Sequence, residues 1–169
     1  MDELHMNLDE SSNNVDRINS NSIMHKIFIS CPFNKFVKES LFVDQAFRQF
    51  TEELYEICLK YAPEVFLALK REEYGSKPLL VYSCSLDLDE MKNADLIIAI
   101  PDDSMGVAVE LGWASAMGKN ILLILDKGQN YTPLVLNINQ ITPGKVIWHE
   151  GVEASVLPAI RDAIETFTK

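Results

Sequence analysis

Two apolar stretches limit what this chain can fold into. "ADLIIAIP" (94–101) and "NILLIL" (120–125) have no polar face. A strand that is apolar on both sides has to be covered on both sides, which is the situation of a parallel sheet between two layers of helices. Between them, "DDSMGVAVELGWASAMGK" (102–119) reads as a helix, and the same alternation recurs along the chain. "KIFIS" (26–30) reads as a first strand. A helix follows in 40–62, with Phe42, Ala46, Phe50, Leu54, Ile57 and Tyr61 at helical spacing. "EVFLAL" (64–69) is a second strand, "KVIWHE" (145–150) a fifth, and "VEASVLPAIRDAIETFTK" (152–169) a closing amphipathic helix.

This order predicts an α/β fold: a five-stranded, parallel, doubly wound three-layer sandwich of the flavodoxin or Rossmann-like kind. Residues 25–169 are expected to form one domain, preceded by a mobile polar leader at 1–24. That leader is rich in Asn, Ser and acids and cannot bury enough surface to offset its ordering. In such sheets ligands sit at the carboxyl ends of the strands. Cys31–Phe36, Leu69–Gly75 and Pro101–Gly106 should therefore surround a common site.

The formal net charge of -10 argues against a nucleic-acid partner, which would call for a basic face. It leaves room for a small anion, because backbone N–H groups and hydroxyls bind phosphate without surface cations. No apolar run reaches the roughly 18 residues of a membrane span, and the first residues contain no signal-peptide core. Cys31, Cys58 and Cys84 are odd in number and lack metal-ligand spacing, so a cytoplasmic location is expected. Neither a metal site nor a cofactor is expected.

Within the helix at 102–119, Glu110 interrupts an otherwise apolar run. A buried carboxylate is costly unless something is arranged around it. Ser104 is a natural N-cap, Gly106 opens the first turn, and Glu110 lies one turn further on the same face, roughly 6 Å along the axis. A phosphate at that N-terminus would place a nucleoside 5′-monophosphate with its anomeric carbon near Glu110. A second acid is available in "SCSLDLDEMKNAD", from Asp87, Asp89 or Asp95 ahead of the third strand. Two carboxylates with different tasks suit glycosidic chemistry. From spacing alone, a glutamate in an apolar helix is more often a partner in a structural ion pair.

"DLDEMKNADLIIAIPDDSMGVAVELGWASAMGK" resembles the core of the nucleoside 2-deoxyribosyltransferase superfamily, which carries Ser-x-Gly-x-x-x-Glu-x-Gly-x-Ala after a strand. "CPFNKFV", "KREEYG" and "YTPLV" extend the resemblance over about residues 26 to 140. They make it most like the CMP hydrolases of mildiomycin and blasticidin S biosynthesis. The resemblance implies that Glu110 is the nucleophile and Asp87 the acid beside the departing base. It implies that Phe33 packs on the base or ribose, and that Arg71, Glu72 and Tyr74 lie near the nucleotide. It also implies a homodimer or higher homo-oligomer with shared active sites, Thr132 or Asn137 reaching in from a neighbour. The nucleoside-specific branch carries an acid six residues before the glutamate, where this chain has Ser104. A hydroxyl there, with the Gly106 N–H, suits a phosphate. Ser30 and Cys31 stand where relatives commonly have glycine, and the relatives' basic residue after "PF" has only Lys35 or Lys38 as counterpart.

The expectation is an N-glycosidase that releases the base from a pyrimidine nucleoside 5′-monophosphate, CMP or a 5-substituted CMP first, through a ribosyl-Glu110 intermediate. Hydroxyls, such as that of a tyrosine, or backbone donors should keep Glu110 ionised. The alternatives are a base-exchanging deoxyribosyltransferase and a nucleotide-binding sensor without turnover.

Overall fold

The computed structural model describes residues 24–168 except 34–35, 39–40, 79–80, 82 and 151–152. The leader and Lys35 lie outside the described residues. Met24, placed by the sequence in the leader, is instead buried in the core at the foot of the first strand.

Five parallel strands form the central sheet: β1 (Lys26–Ser30), β2 (Glu64–Leu67), β3 (Leu96–Ala99), β4 (Asn120–Asp126) and β5 (Gly144–His149), in the order β2-β1-β3-β4-β5. β1 and β3 are in register from Ile27 with Leu96 to Ser30 with Ala99. Successive side chains of a strand point to opposite faces, and both faces here are apolar. Ile27, Ile29, Leu96, Ile98, Leu122 and Ile124 enter one half of the core. Phe28, Ile97, Ala99, Ile121, Leu123 and Leu125 enter the other.

The first half is covered by α1 (Gln45–Cys58) and α6 (Leu157–Glu165), the second by α3 (Ser83–Lys92) and α4 (Met105–Ala116). Two short helices, α2 (Ala68–Arg71) and α5 (Pro133–Leu136), sit in the connections. This is the three-layer α/β sandwich expected from the strand pattern. Among the described residues no helix is long and apolar enough to cross a membrane.

Several boundaries differ from the sequence reading. The helix expected from 40 begins only after Asp44, whose side chain accepts the Phe47 N–H at 2.9 Å. Leu41–Phe42 instead pairs antiparallel with Val37–Lys38 in a small ribbon. The buried stripe of α1 consequently runs through Phe47, Phe50, Thr51, Leu54 and Cys58, while Ala46 is exposed.

β2 stops at Leu67 because its ladder with β1 ends at the Ile29–Leu67 pair. Beyond it the chain has no strand to bond, and the Glu72 N–H closes a helical turn on the Ala68 carbonyl at 3.0 Å. α3 was not foreseen: only Met91 in it is buried, so it carries almost no apolar stripe to read. α4, which looked wholly buried, inserts Val107, Leu111 and Ala114 but leaves Met105 86% and Val109 51% exposed.

Candidate active site

The carboxyl ends of β1, β2 and β3 open onto one cavity of about 360 Å³. Each element brings a different group to it. Cys31 and Phe33 follow β1, Ala68 and Glu72 follow β2, Asp87 comes from α3, and Ser104, Gly106 and Glu110 come from the start of α4. The three loops expected at a common site thus do meet there. The unforeseen helix α3 closes the fourth side.

Glu110 is the most perturbed acid in the cavity. Burial pushes its carboxyl up to about 7, and the Asp87 charge adds to the rise. The Ser30 hydroxyl and the Arg71 guanidinium oppose it. Ser30 is itself buried at the end of β1, and its Oγ donates directly to Glu110 Oε2. A hydroxyl does support the carboxylate, as expected, but it comes from serine on the neighbouring strand, not from tyrosine. Burial still wins, so Glu110 is only about half ionised near neutral pH.

Asp87 is held by Arg71, whose Nη1 donates to its Oδ1 at 2.6 Å while Nη2 donates to Glu72 Oε1 at 2.6 Å. Burial raises the Asp87 pKa; Arg71 pulls against it, and Glu72 and Glu90 add to the rise. Of the three candidate aspartates, Asp87 is the one that lines this cavity. Asp89 points outward and pairs with Lys92 at 2.8 Å. Asp95 sits at the opposite end of the sheet, accepting the N–H groups of His25 and Lys26 at 2.6 and 3.1 Å.

The helix N-terminus also has the expected form. Ser104 caps α4 by accepting the Val107 N–H at 3.4 Å and at the same time lines the cavity. At Gly106 an added Cβ would meet only Ser104 Oγ, at 3.6 Å. Packing therefore does not demand glycine there, and the open space belongs to the cavity. Asp102 and Asp103 adopt left-handed backbone angles, φ 30° and 57°, a conformation that costs a non-glycine residue energy. Neither lines this cavity, whereas Ser104 does.

Not every expected residue converges. Tyr74, at φ 54° and ψ 40°, turns away from the cavity into the core, with the Arg48 guanidinium 4.1 Å over its ring. Thr132 caps α5 and shares a neighbouring cavity of about 200 Å³ with Asp103, Ser104 and Met105. Asn137 is exposed and donates to the Pro133 carbonyl at 2.9 Å, so this chain does not bring it to its own Glu110. Lys38 joins the ribbon through its backbone pairing with Leu41. Trp113 packs against the α4 side of the core.

Ser30 stands out in the sequence as a departure from the relatives' glycine, but its bond to Glu110 was missed, because no local pattern links two residues so far apart. Cys31 lines the cavity, and burial and the Glu110 charge push its thiol well above the usual range, against a nucleophilic role. Among the described residues no group of three or more His, Cys, Asp or Glu could hold a metal ion.

The family profile described as nucleoside 2-deoxyribosyltransferase matches residues 40–157. The solution structure of BlsM is 29% identical, covering 86% of this chain and 93% of its own, with a TM-score of 0.69. The Clostridium botulinum CMP N-glycosidase BcmB is 24% identical, with 80% and 96% covered and a TM-score of 0.59. A conserved protein from Enterococcus faecalis V583 shares 16% identity over 85% and 98%, with a TM-score of 0.56. No curated protein matches at the sequence level.

Proposed function

This chain belongs to the nucleoside 2-deoxyribosyltransferase family, and on that premise we propose that it is an N-glycoside hydrolase of pyrimidine nucleoside 5′-monophosphates, with CMP or a 5-substituted CMP as substrate. The observation that carries this reading is the meeting of Glu110, Asp87 and the Ser104–Gly106 helix N-terminus in one cavity. A carboxylate nucleophile, a proton donor and an anion seat are the three parts the reaction needs.

The phosphate lies on Ser104 and the Gly106 N–H, which extends the ribose toward Glu110. The Glu110 carboxylate attacks C1′ as the bond from C1′ to the base nitrogen breaks, and Asp87 delivers a proton to the departing base. Water then attacks C1′ of the ribosyl ester, returning the carboxylate and releasing ribose 5-phosphate. No metal or cofactor is required. The raised pKa of Asp87 suits an acid, and its contact with Arg71 fixes the direction in which it points. Phe33 packs on the base or ribose.

Hydrolysis of nucleotides is favoured over base exchange between nucleosides by the serine at position 104, since a carboxylate there would repel a phosphate. BcmB, a similar structure, is a CMP N-glycosidase. We further propose that the site is completed in a homo-oligomer, with Thr132 or Asn137 contributed by a neighbouring subunit. The exposed apolar side chains of Met105, Val109 and Leu134 support such an assembly. Free cysteines fit a cytoplasmic location.

One chromatographic assay tests the reading. The protein is incubated with CMP, dCMP, UMP and cytidine, with and without free adenine. Free base from the monophosphates, lost in Glu110→Ala, is the expected result. A new nucleoside formed only with adenine would make the chain a transferase. Binding without any release would make it a sensor.

A further inference from the structure

Glu72 is 8% exposed and lines the nucleotide cavity, but the proposed reaction gives it no task. A carboxylate buried to that degree is costly unless something is arranged around it. Adjacent residues of a helix do not face each other. Glu72 nevertheless reaches the guanidinium of Arg71, the residue before it, because it is the C-cap of α2 and leaves the helical angles, at φ −93° and ψ 17°. Three backbone hydrogen bonds fix it there. Its N–H donates to the Ala68 carbonyl at 3.0 Å, and its carbonyl accepts the N–H groups of Gly75 and Lys77 at 3.0 and 3.1 Å.

What Glu72 does follows from how Arg71 is divided. A guanidinium and a carboxylate pair most strongly through two parallel N–H···O bonds. Arg71 forms no such fork with either acid: Nη1 donates to Asp87 Oδ1 and Nη2 to Glu72 Oε1, each at 2.6 Å. Asp87 is thereby anchored through one oxygen, and among the described residues nothing donates to its Oδ2. A general acid needs that arrangement, one oxygen to fix its direction and the other to hold the proton it will give. A second bond from Arg71 would occupy Oδ2 and favour the charged form.

We propose that Glu72 is a positioning residue for the proton donor: by holding one edge of the Arg71 guanidinium it keeps Arg71 from clamping both oxygens of Asp87, and leaves Oδ2 for the proton passed to the departing base. That last step rests on the glycosidase reading; the contact does not. Charge acts in the same direction. The charged groups acting on Asp87 are Arg71 and Glu72 at the end of α2, Glu90 on α3 and Glu110 on α4. Burial is the main cause of its raised pKa, Arg71 opposes it, and the Glu72 and Glu90 charges add to it.

Two substitutions separate holding from charge. Glu72→Gln removes the charge but keeps an oxygen for Nη2, whereas Glu72→Met removes both. Each is made in the full-length Glu110→Gln protein, and the Asp87 carboxyl carbon is titrated by carbon NMR. Its midpoint should lie about one pH unit or more lower with Glu72→Met than with Glu72→Gln, the scale of one charge-assisted hydrogen bond. With Glu110 intact, Glu72→Met should slow base release from CMP about tenfold or more, and Glu72→Gln should recover most of that rate. The loss should be much smaller on a ribosyl 5-phosphate whose nitrophenolate departs without a proton. Equal Asp87 midpoints in the two variants, or equal losses on the two substrates, would overturn the proposal. If the parent releases no base from any monophosphate, the glycosidase reading falls, and the Asp87 titration alone decides whether Glu72 holds Arg71. Glu72→Ala, which removes the same oxygen, serves if Glu72→Met fails to fold.

Discussion

Ser30 at the end of β1 donates its hydroxyl to the carboxylate of Glu110, 80 residues further along the chain in the second turn of α4. The contact joins a strand end to a helix face and is a hydrogen bond that favours the charged form of a buried acid. The first expected outcome follows from it. Ser30→Ala should push the Glu110 pKa higher still and move the acid limb of the rate–pH profile upward. Base release should drop roughly tenfold or more at pH 6, the scale of a lost charge-assisted hydrogen bond, and recover partly at pH 8.5. A uniform loss at every pH would show that Ser30 does not act through ionisation.

Glu110 should carry a stability cost that tracks its charge. Its folded pKa, about 7, lies above the unfolded value near 4.5, so the native state binds the proton more tightly. Stability therefore falls as pH rises from 4.5 to 7, and the full cost is present above that range. Glu110→Gln should abolish base release. It should also stabilise the fold at pH 8 by up to about 3 kcal/mol while leaving stability at pH 4.5 nearly unchanged. Denaturant melts of both proteins at the two pH values provide the check.

Asp87 is assigned a proton, not a bond to carbon. Asp87→Asn should slow base release from CMP by roughly 10²–10⁴-fold, the range for a lost general acid. A ribosyl 5-phosphate with a leaving group that departs without a proton, such as a nitrophenolate, should be spared most of that loss. Equal losses on both substrates would mean that Asp87 acts chiefly through Arg71 and Glu72, which it helps to hold.

Ser104 separates helix capping from phosphate binding. Ser104→Asp keeps a good N-cap, so thermal stability should stay within about 0.5 kcal/mol of the parent. The new charge should raise KM for CMP roughly tenfold or more and leave cytidine binding nearly unaffected. Parallel loss of both substrates would point to a distorted helix start.

The Arg71 guanidinium bridges two part-buried carboxylates, Asp87 and Glu72. Arg71→Met removes this cation from a buried cluster and should destabilise the fold by about 3 kcal/mol at pH 7, with less loss at pH 4, where Asp87, raised by burial, takes up a proton more readily. The comparison of chemical melts at the two values distinguishes this from a simple packing defect.

How much of this was readable in advance depended on whether neighbours in sequence carried the information. The apolar strands, the Glu110 helix and its Ser104 cap are local patterns, because a strand without a polar face or a capped helix is specified by consecutive residues. They located the five-stranded sheet, and β1 began and ended where its pattern did. α3 was invisible for the same reason: it is held by one buried methionine and its ends, not by a stripe.

The sequence by itself determined the layer architecture, the acid at position 110 and the serine-capped helix N-terminus six residues earlier. Tertiary structure alone decided which aspartate reaches the cavity, because Asp87, Asp89 and Asp95 differ in the direction in which α3 and the sheet point them. It also decided that Tyr74 faces α1 and that Ser30 supports Glu110. Those relations join residues tens of positions apart, and their energies come from burial and from charges across space. No short window of sequence contains either quantity.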